Sequence, residues 1–317
     1  MGRTRWDDVP GTLRARIEAT LGGPVVDAVS QVGGYSPGGA DRVVTANGRA
    51  AFVKTLARSR NDDGFRLHEQ EARVMAHLPA SVQAPRLIDT LHETVDRDEW
   101  IALVLEDVDG QHPGRALDGS DVTAVLDALD TLPPATGPLA ALPRLTDELA
   151  DELGAWDRML ASGMPEVVPE HVASAAADFG HAALPAAGLL DGGYLAHVDC
   201  RADNLLVTAD GRVWVVDWPW AAVGVHWFDP LTYLLDMLVR GEDTDVEHHL
   251  ATHRVFAGLP GTTVDAVLAG LAGTFFEKAS RPAVPNMPTL RAFQRAEGLA
   301  AAEWLLQRWG RGRAVPR

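Results

Sequence analysis

His197-Val198-Asp199-Cys200-Arg201-Ala202-Asp203-Asn204, followed by Val215-Val216-Asp217-Trp218, holds the sharpest pattern in the chain: His-x-Asp-x4-Asn, then an aspartate closing an apolar strand. With 11 histidines, 29 aspartates and four asparagines among 317 residues, that first spacing is expected about 0.01 times by chance. Leu205–Thr208 and Val213–Val216 read as short strands around the turn Ala209-Asp210-Gly211. Such a hairpin returns Asp217 opposite the turn that holds Asp199 and Asn204.

Upstream, the first third alternates β-rich runs with glycine turns. Val25–Val32 reads as a strand, Gly33 to Gly39 as a dense glycine turn, and Arg42–Ala46 with Ala50–Leu56 as a hairpin around Asn47-Gly48. Phe65–Leu78 has the apolar spacing of an amphipathic helix, and strands at Arg86–Leu91 and Trp100–Glu106 end at Asp109-Gly110. Beyond a connector at 107–112 the character changes. Ala- and Leu-rich helices fill Ser120–Leu132, Thr146–Ser162, Pro169–Leu184, 261–277 and 288–309. The expected architecture is α+β: a small antiparallel-sheet lobe over 1–108 and a larger, mainly helical lobe over 109–317.

These residue types fit phosphoryl transfer, in which the protein positions an alcohol and neutralises charge rather than making covalent bonds. A carboxylate and an amide oxygen suffice for magnesium, which keeps several waters; Asp217 and Asn204 supply them. A second, metal-free carboxylate must orient the hydroxyl and accept its proton, and Asp199 fits. Lys54, one of two lysines beside 26 arginines, ends a strand just past the glycine loop and is placed to reach phosphates. Glu71 on the next helix is its expected partner, with Glu69 the rival. Gly33, Gly34, Ser36 and Gly38 let backbone N–H groups approach phosphate oxygens, the alternative being a plain hairpin turn.

Taken together, these pieces resemble the aminoglycoside phosphotransferase family, the small-molecule branch of the protein-kinase-like fold. The glycine loop, Val53-Lys54, Glu71, Leu105-Glu106 before Asp109-Gly110, His197 through Asn204, and Val216-Asp217 lie in that family's order over roughly residues 25–240. The resemblance implies a bilobal kinase-like fold, ATP or GTP with Mg2+, and a hydroxylated small-molecule acceptor. It also implies that the Glu106 carbonyl and the Val108 N–H hold the adenine edge, and that Asp229 braces the catalytic loop. His197 reads as a structural histidine under the metal aspartate. Arg201 is open between a phosphate contact and a salt bridge with Asp203. Trp220 and Trp227 are candidates to line the acceptor pocket. Two departures stand out: Val198 occupies a position that is usually glycine, and Asp217-Trp218-Pro219 replaces Asp-Phe-Gly.

Composition narrows the alternatives. Hydrophobic residues make up 46% and charged residues 23%, an ordinary globular balance, and no run approaches the roughly 18 apolar residues of a membrane span. Cys200 is the single cysteine, which excludes an internal disulfide, and the N-terminus lacks a signal-peptide pattern. A soluble, cytoplasmic chain is expected. The net charge of −16 argues against nucleic acid and favours a cationic partner. Gly34-Tyr35-Ser36-Pro37-Gly38 matches a hydrolase nucleophile motif, but Pro37 lacks the N–H that would stabilise an oxyanion. The remaining alternatives are a housekeeping kinase of choline, homoserine or a sugar, and a non-catalytic nucleotide-binding module.

Overall fold

The Asn47-Gly48 turn reverses the chain as its sequence requires. Gly48 adopts φ 81°, a left-handed conformation that glycine takes without strain, and its N–H donates to Thr45 O at 2.8 Å. The computed structural model describes residues 3–31, 38–114, 120–242, 245–284 and 287–310. Around this turn, β1 (Val25–Ser30), β2 (Gly39–Thr45), β3 (Ala50–Ala57), β4 (Leu87–Val95) and β5 (Asp98–Glu106) form an antiparallel sheet ordered β1-β2-β3-β5-β4.

Two helices, α1 (Gly11–Leu21) and α2 (Asp62–Met75), accompany the sheet. Leu13, Ile17 and Leu21 of α1 pack with Trp6, Val43, Ala51 and Val53 in one buried cluster. Each such aliphatic side chain contributes about 1.5–3 kcal/mol of burial. Side chains alternate along a strand, so Val53 faces that cluster while Lys54 faces the other way, toward α2. Asn61 caps α2 by accepting from Gly64 N–H at 2.9 Å, and Asp62 and Asp63 favour the positive end of the helix dipole. Helix α1 is an addition to the sequence-based expectation.

By its internal packing the chain divides into two units, Met1–Pro113 with Asp203–Ala221, and Gly114–Ala202 with Ala222–Arg317. The expectation assigned 203–221 to the 109–317 lobe. Strand pairing is what groups it with the first: β6 (Gly110–Gln111) pairs with β8 (Leu205–Thr208), which pairs with β9 (Val213–Val215). The N–H of Val215 also donates to Gln83 O at 2.8 Å.

The second unit holds α3 (Ser120–Asp130), α4 (Leu145–Leu153), α5 (Ala155–Ser162), α6 (Glu170–Ala173), α7 (Ala176–Ala183), α8 (Ala186–Leu189), α9 (Phe228–Val239), α10 (Val246–Thr252), α11 (Gly261–Ala279) and α12 (Leu290–Arg308). A short strand pair joins β7 (Tyr194–Ala196) to β10 (Ala222–Gly224). Helix α11 is buried along most of its length, and its Ala269 carbonyl accepts from Trp156 Nε1 at 2.7 Å. At Gly273 a Cβ would approach the Trp156 ring to 2.7 Å, so only glycine permits this packing. The helix expected over Thr146–Ser162 is two helices broken at Gly154, a poor helix former. The one expected over Pro169–Leu184 breaks near Ser174, whose hydroxyl donates to the His171 carbonyl. Among the described residues, no helix is long and apolar enough to cross a membrane.

Candidate active site

Within the first unit, β3, α2 and the segment after β9 converge on one ammonium. Lys54 Nζ donates to Glu71 Oε1 at 2.7 Å, to Glu71 Oε2 at 2.8 Å and to Asp217 Oδ1 at 2.7 Å. Side-chain exposures of 15% for Lys54, 2% for Glu71 and 45% for Asp217 show where this network opens to solvent: at the aspartate. Burial opposes the lysine's charge, but Asp217 and Glu71 outweigh it and hold the ammonium above its ordinary range. Burial pushes the Glu71 carboxyl up, while Lys54 and the Trp218 backbone N–H pull it down. Of the two rival glutamates it is Glu71 that meets Lys54. It lies on the buried face of α2 with His68, Ala72 and Met75, the i, i+3, i+4 pattern of one helix face.

Asp217 reaches Lys54 because its backbone takes φ 68°, a left-handed conformation that aspartate tolerates better than most residues. Asn204 closes a short 3-10 turn (Ala202–Asn204), and its side chain is buried. The Asn204 carbonyl accepts from Val216 N–H at 2.9 Å, which ties the asparagine to the residue before Asp217.

Beside this network lies His68, and the unit also holds further candidate residues. His68 is driven down to about 4 by burial and by Lys54, and its Nδ1 lies 2.8 Å from the Gly64 carbonyl, so it is neutral and donates there. Glu106 ends β5, where its N–H donates to Arg86 O at 2.9 Å. The carbonyl of Val108 accepts from Gly110 N–H at 3.1 Å. Arg42 grips Asp107 with two bonds, at 2.8 and 2.7 Å, pinning the exit of β5 to β2. Gly33, Gly34 and Ser36 lie outside the described residues. Gly38 is described, and its carbonyl accepts from Arg3 Nε at 3.0 Å.

In the second unit, the loop from His197 to Ala202 is held by α9. The Asp229 carboxylate accepts from the N–H groups of His197 at 2.6 Å and Val198 at 2.8 Å, and Asp236 accepts from Ala202 N–H at 2.9 Å. Seven residues apart, the two aspartates share one helix face. Sequence reading identified Asp229 but missed Asp236; the available signal was a second aspartate at i+7 in an otherwise apolar helix. Val198 adopts φ 74°, a strained conformation for a β-branched residue and the reason glycine suits this position. Asp199 Oδ1 pairs with Arg201 Nη1 at 3.1 Å, and the Arg201 guanidinium lies 5.2 Å from the centre of the Phe293 ring on α12. Glu297, one turn along α12, is pushed up to about 8 by burial, with Arg201 opposing the shift. Cys200 is buried, and desolvation holds its thiol well above the usual range. Trp227, a candidate for the acceptor pocket, is instead 6% exposed and part of the core at the start of α9, whereas Trp220 is 52% exposed.

Comparison with known proteins places the chain in a family. No curated protein matches the chain by sequence. A thermostable mutant of aminoglycoside phosphotransferase APH(4)-Ia, solved with AMP-PNP and hygromycin B, is 15% identical with a TM-score of 0.59, covering 92% of this chain and 98% of that one. Spectinomycin phosphotransferase APH(9)-Ia, solved with ADP and spectinomycin, is 11% identical with a TM-score of 0.57, covering 92% and 96%. A macrolide 2'-phosphotransferase from Brachybacterium faecium is 17% identical with a TM-score of 0.56, covering 93% and 98%. At these identities the likeness is one of fold, and it is the kinase-like fold expected from the sequence. Residues 37–267 match the APH phosphotransferase enzyme family, a span that runs from the first sheet through α9 and into α11, and the chain belongs to that family.

Proposed function

We propose that this phosphotransferase moves the γ-phosphate of ATP, or of GTP, to a hydroxyl of a small cationic acceptor of the antibiotic type. The observation that carries this reading is the Lys54 ammonium, half-buried and bonded to Glu71 and Asp217. A lysine fixed by a buried glutamate presents a positive charge at a defined point, which is what the α and β phosphates of a nucleotide need. Glu71 holds that rotamer. In this reading Gly33, Gly34, Ser36 and Gly38 approach the phosphates, and the Glu106 carbonyl and Val108 N–H take the adenine edge.

Asp217 and Asn204 are the proposed magnesium ligands. Both offer hard oxygens, and among the described residues no group of three or more His, Cys, Asp or Glu forms a metal cluster. A carboxylate and an amide fit an ion that keeps most of its waters. When bound, the ion supplies charge neutralisation at the phosphates. Asp199 orients the acceptor hydroxyl and takes its proton, while Arg201, paired with Asp199, meets the transferred phosphate. His197 and Asp229 support this loop.

The acceptor class rests on charge and likeness. A net charge of −16 favours a cation, and two of the similar structures hold hygromycin B and spectinomycin. With a single cysteine and a need for nucleotide, the cytoplasm is the proposed compartment. The test is a thermal-shift titration with Mg·ATP and Mg·GTP, followed by ADP or GDP release against a panel of aminoglycosides, macrolides, choline, homoserine and sugars. Stabilisation by nucleotide with release driven by an antibiotic supports the reading. Release driven only by choline, homoserine or a sugar overturns the acceptor class, and no response to either nucleotide overturns the whole.

A further inference from the structure

The strap of chain before α1 meets the sheet at several points, one of them the junction between the end of β1 and the start of β2. Arg3 supplies the bond. Its Nη1 donates to Gln31 O at 2.9 Å and its Nε to Gly38 O at 3.0 Å. Gln31 follows the last residue of β1 and Gly38 precedes the first of β2, so one guanidinium spans the two residues that bracket the glycine-rich segment. The Gln31 N–H donates to Ala40 O at 2.8 Å across the same gap. A guanidinium carries several donors in a fixed planar fork and stays charged, so it sets the distance between two carbonyls in a way a flexible ammonium does not.

The rest of the strap is anchored without Arg3. Trp6 lies in the core cluster with Val9 and Leu13. The Trp6 backbone N–H bonds to Asp41, whose carboxylate also accepts from Ser30 Oγ at 2.5 Å. Thr4 is fully buried, and its carbonyl oxygen lies 3.4 Å from where a Cβ on Gly39 would stand. Downstream of Gly38 the register is tight: Gly39 pairs with Thr55 and Ala40 with Lys54. The Arg3 charge is felt by Asp41 and by Asp217, the carboxylate bonded to Lys54.

We propose that Arg3 is a positioning residue for nucleotide binding: by bridging Gln31 O and Gly38 O it fixes the separation of the two residues where the β1–β2 ladder ends, beside the Ala40 that pairs with Lys54. This rests on the reading of Lys54 as the phosphate lysine. Because Trp6, Thr4 and Asp41 hold the strap, loss of the Arg3 guanidinium acts on nucleotide affinity more than on folding.

The experiment is calorimetric titration of the full chain with Mg·AMP-PNP, comparing the parent with Arg3→Ala, Arg3→Gln and Arg3→Lys. Arg5→Ala serves as a control, removing an exposed arginine of equal charge from the same strap. Thermal unfolding of every variant is recorded alongside. Arg3→Ala is expected to weaken nucleotide binding by roughly tenfold, as for the loss of one hydrogen bond to a charged group. Arg3→Lys falls between Arg3→Ala and the parent, and Arg5→Ala binds as the parent does. If Arg3→Ala loses its cooperative unfolding transition, Arg3→Gln, which keeps a planar donor, is read in its place. A variant that binds within twofold of the parent overturns the inference, as does an equal loss in Arg5→Ala, which would assign the effect to charge alone. A parent that binds no nucleotide overturns the functional reading, and this inference with it.

Discussion

Lys54 and Asp217 lie 163 residues apart in sequence and meet in an ion pair of 2.7 Å. Their meeting depends on three local facts: strand alternation turns Lys54 toward α2, Glu71 bonds it from the buried side, and a left-handed backbone at Asp217 brings the carboxylate in. The charge balance of this trio, one cation between two anions, is therefore sensitive to removal of any member.

Lys54→Met leaves Glu71 buried without its ammonium. Stability is expected to fall by about 3–5 kcal/mol, the usual cost of stranding one partner of a buried pair. Nucleotide affinity is expected to drop at least tenfold (~1.4 kcal/mol). Adding Glu71→Gln to Lys54→Met should recover stability but not nucleotide binding. Urea unfolding and calorimetric titration of the single and double variants separate the two effects.

Asp199→Asn tests the assignment of the base. The turnover number should fall by about 10²–10⁴, with nucleotide affinity within twofold (~0.4 kcal/mol) of the parent. A variant that turns over at the parent rate refutes the role given to Asp199.

Val198→Gly addresses the strain at φ 74°. A β-branched residue held there costs on the order of 1–3 kcal/mol, part of which glycine gives back through the greater freedom of the unfolded chain. The net expectation is a gain of about 1 kcal/mol, read as a melting temperature about 2 °C higher. The two bonds from this backbone to Asp229 remain available in the variant. A lower melting temperature would show that the valine side chain contributes more by packing than it costs in strain.

Glu297 gives stability a pH dependence. Its folded-state value is raised to about 8 from an ordinary 4.5, so between those values the folded chain keeps a proton that the unfolded chain releases. Stability from this group is present in full below pH 4.5 and is lost as pH rises through 8. Glu297→Gln stays neutral throughout. It should match the parent at about pH 4 and exceed it at about pH 9 by roughly 3–5 kcal/mol, measured by denaturant unfolding at both values. Equal stability of parent and variant at the higher pH contradicts the buried, proton-holding carboxyl.

Much of this was legible before any coordinates, and the part that was not has a physical pattern. His197, Asp199 and Asn204 stand out because their joint spacing is expected only about 0.01 times by chance, and Asp217 because it closes the apolar strand that follows. Asn47-Gly48 stands out because few dipeptides suit so tight a reversal. Helix α1 was invisible because only Leu13, Ile17 and Leu21 mark its buried face. Asp236 carried only the faint signal of a second aspartate seven residues after Asp229, and Arg3 carried none. The bonds that matter here go to backbone groups of Ala202, Gln31 and Gly38, and every residue offers a carbonyl or, proline aside, an N–H, so no side-chain pattern names the partner. The two-residue strand β6 pairs with β8 across nearly a hundred residues, a link that no local period encodes.

Cys200 is buried among the aspartates of the second unit, and desolvation raises its thiol, so it is expected to react slowly with electrophiles. It is also the chain's one cysteine. A cysteine introduced on the surface would therefore be the preferred target of a maleimide dye, and the folded protein could be tagged at a chosen point with its native sulfur left in place.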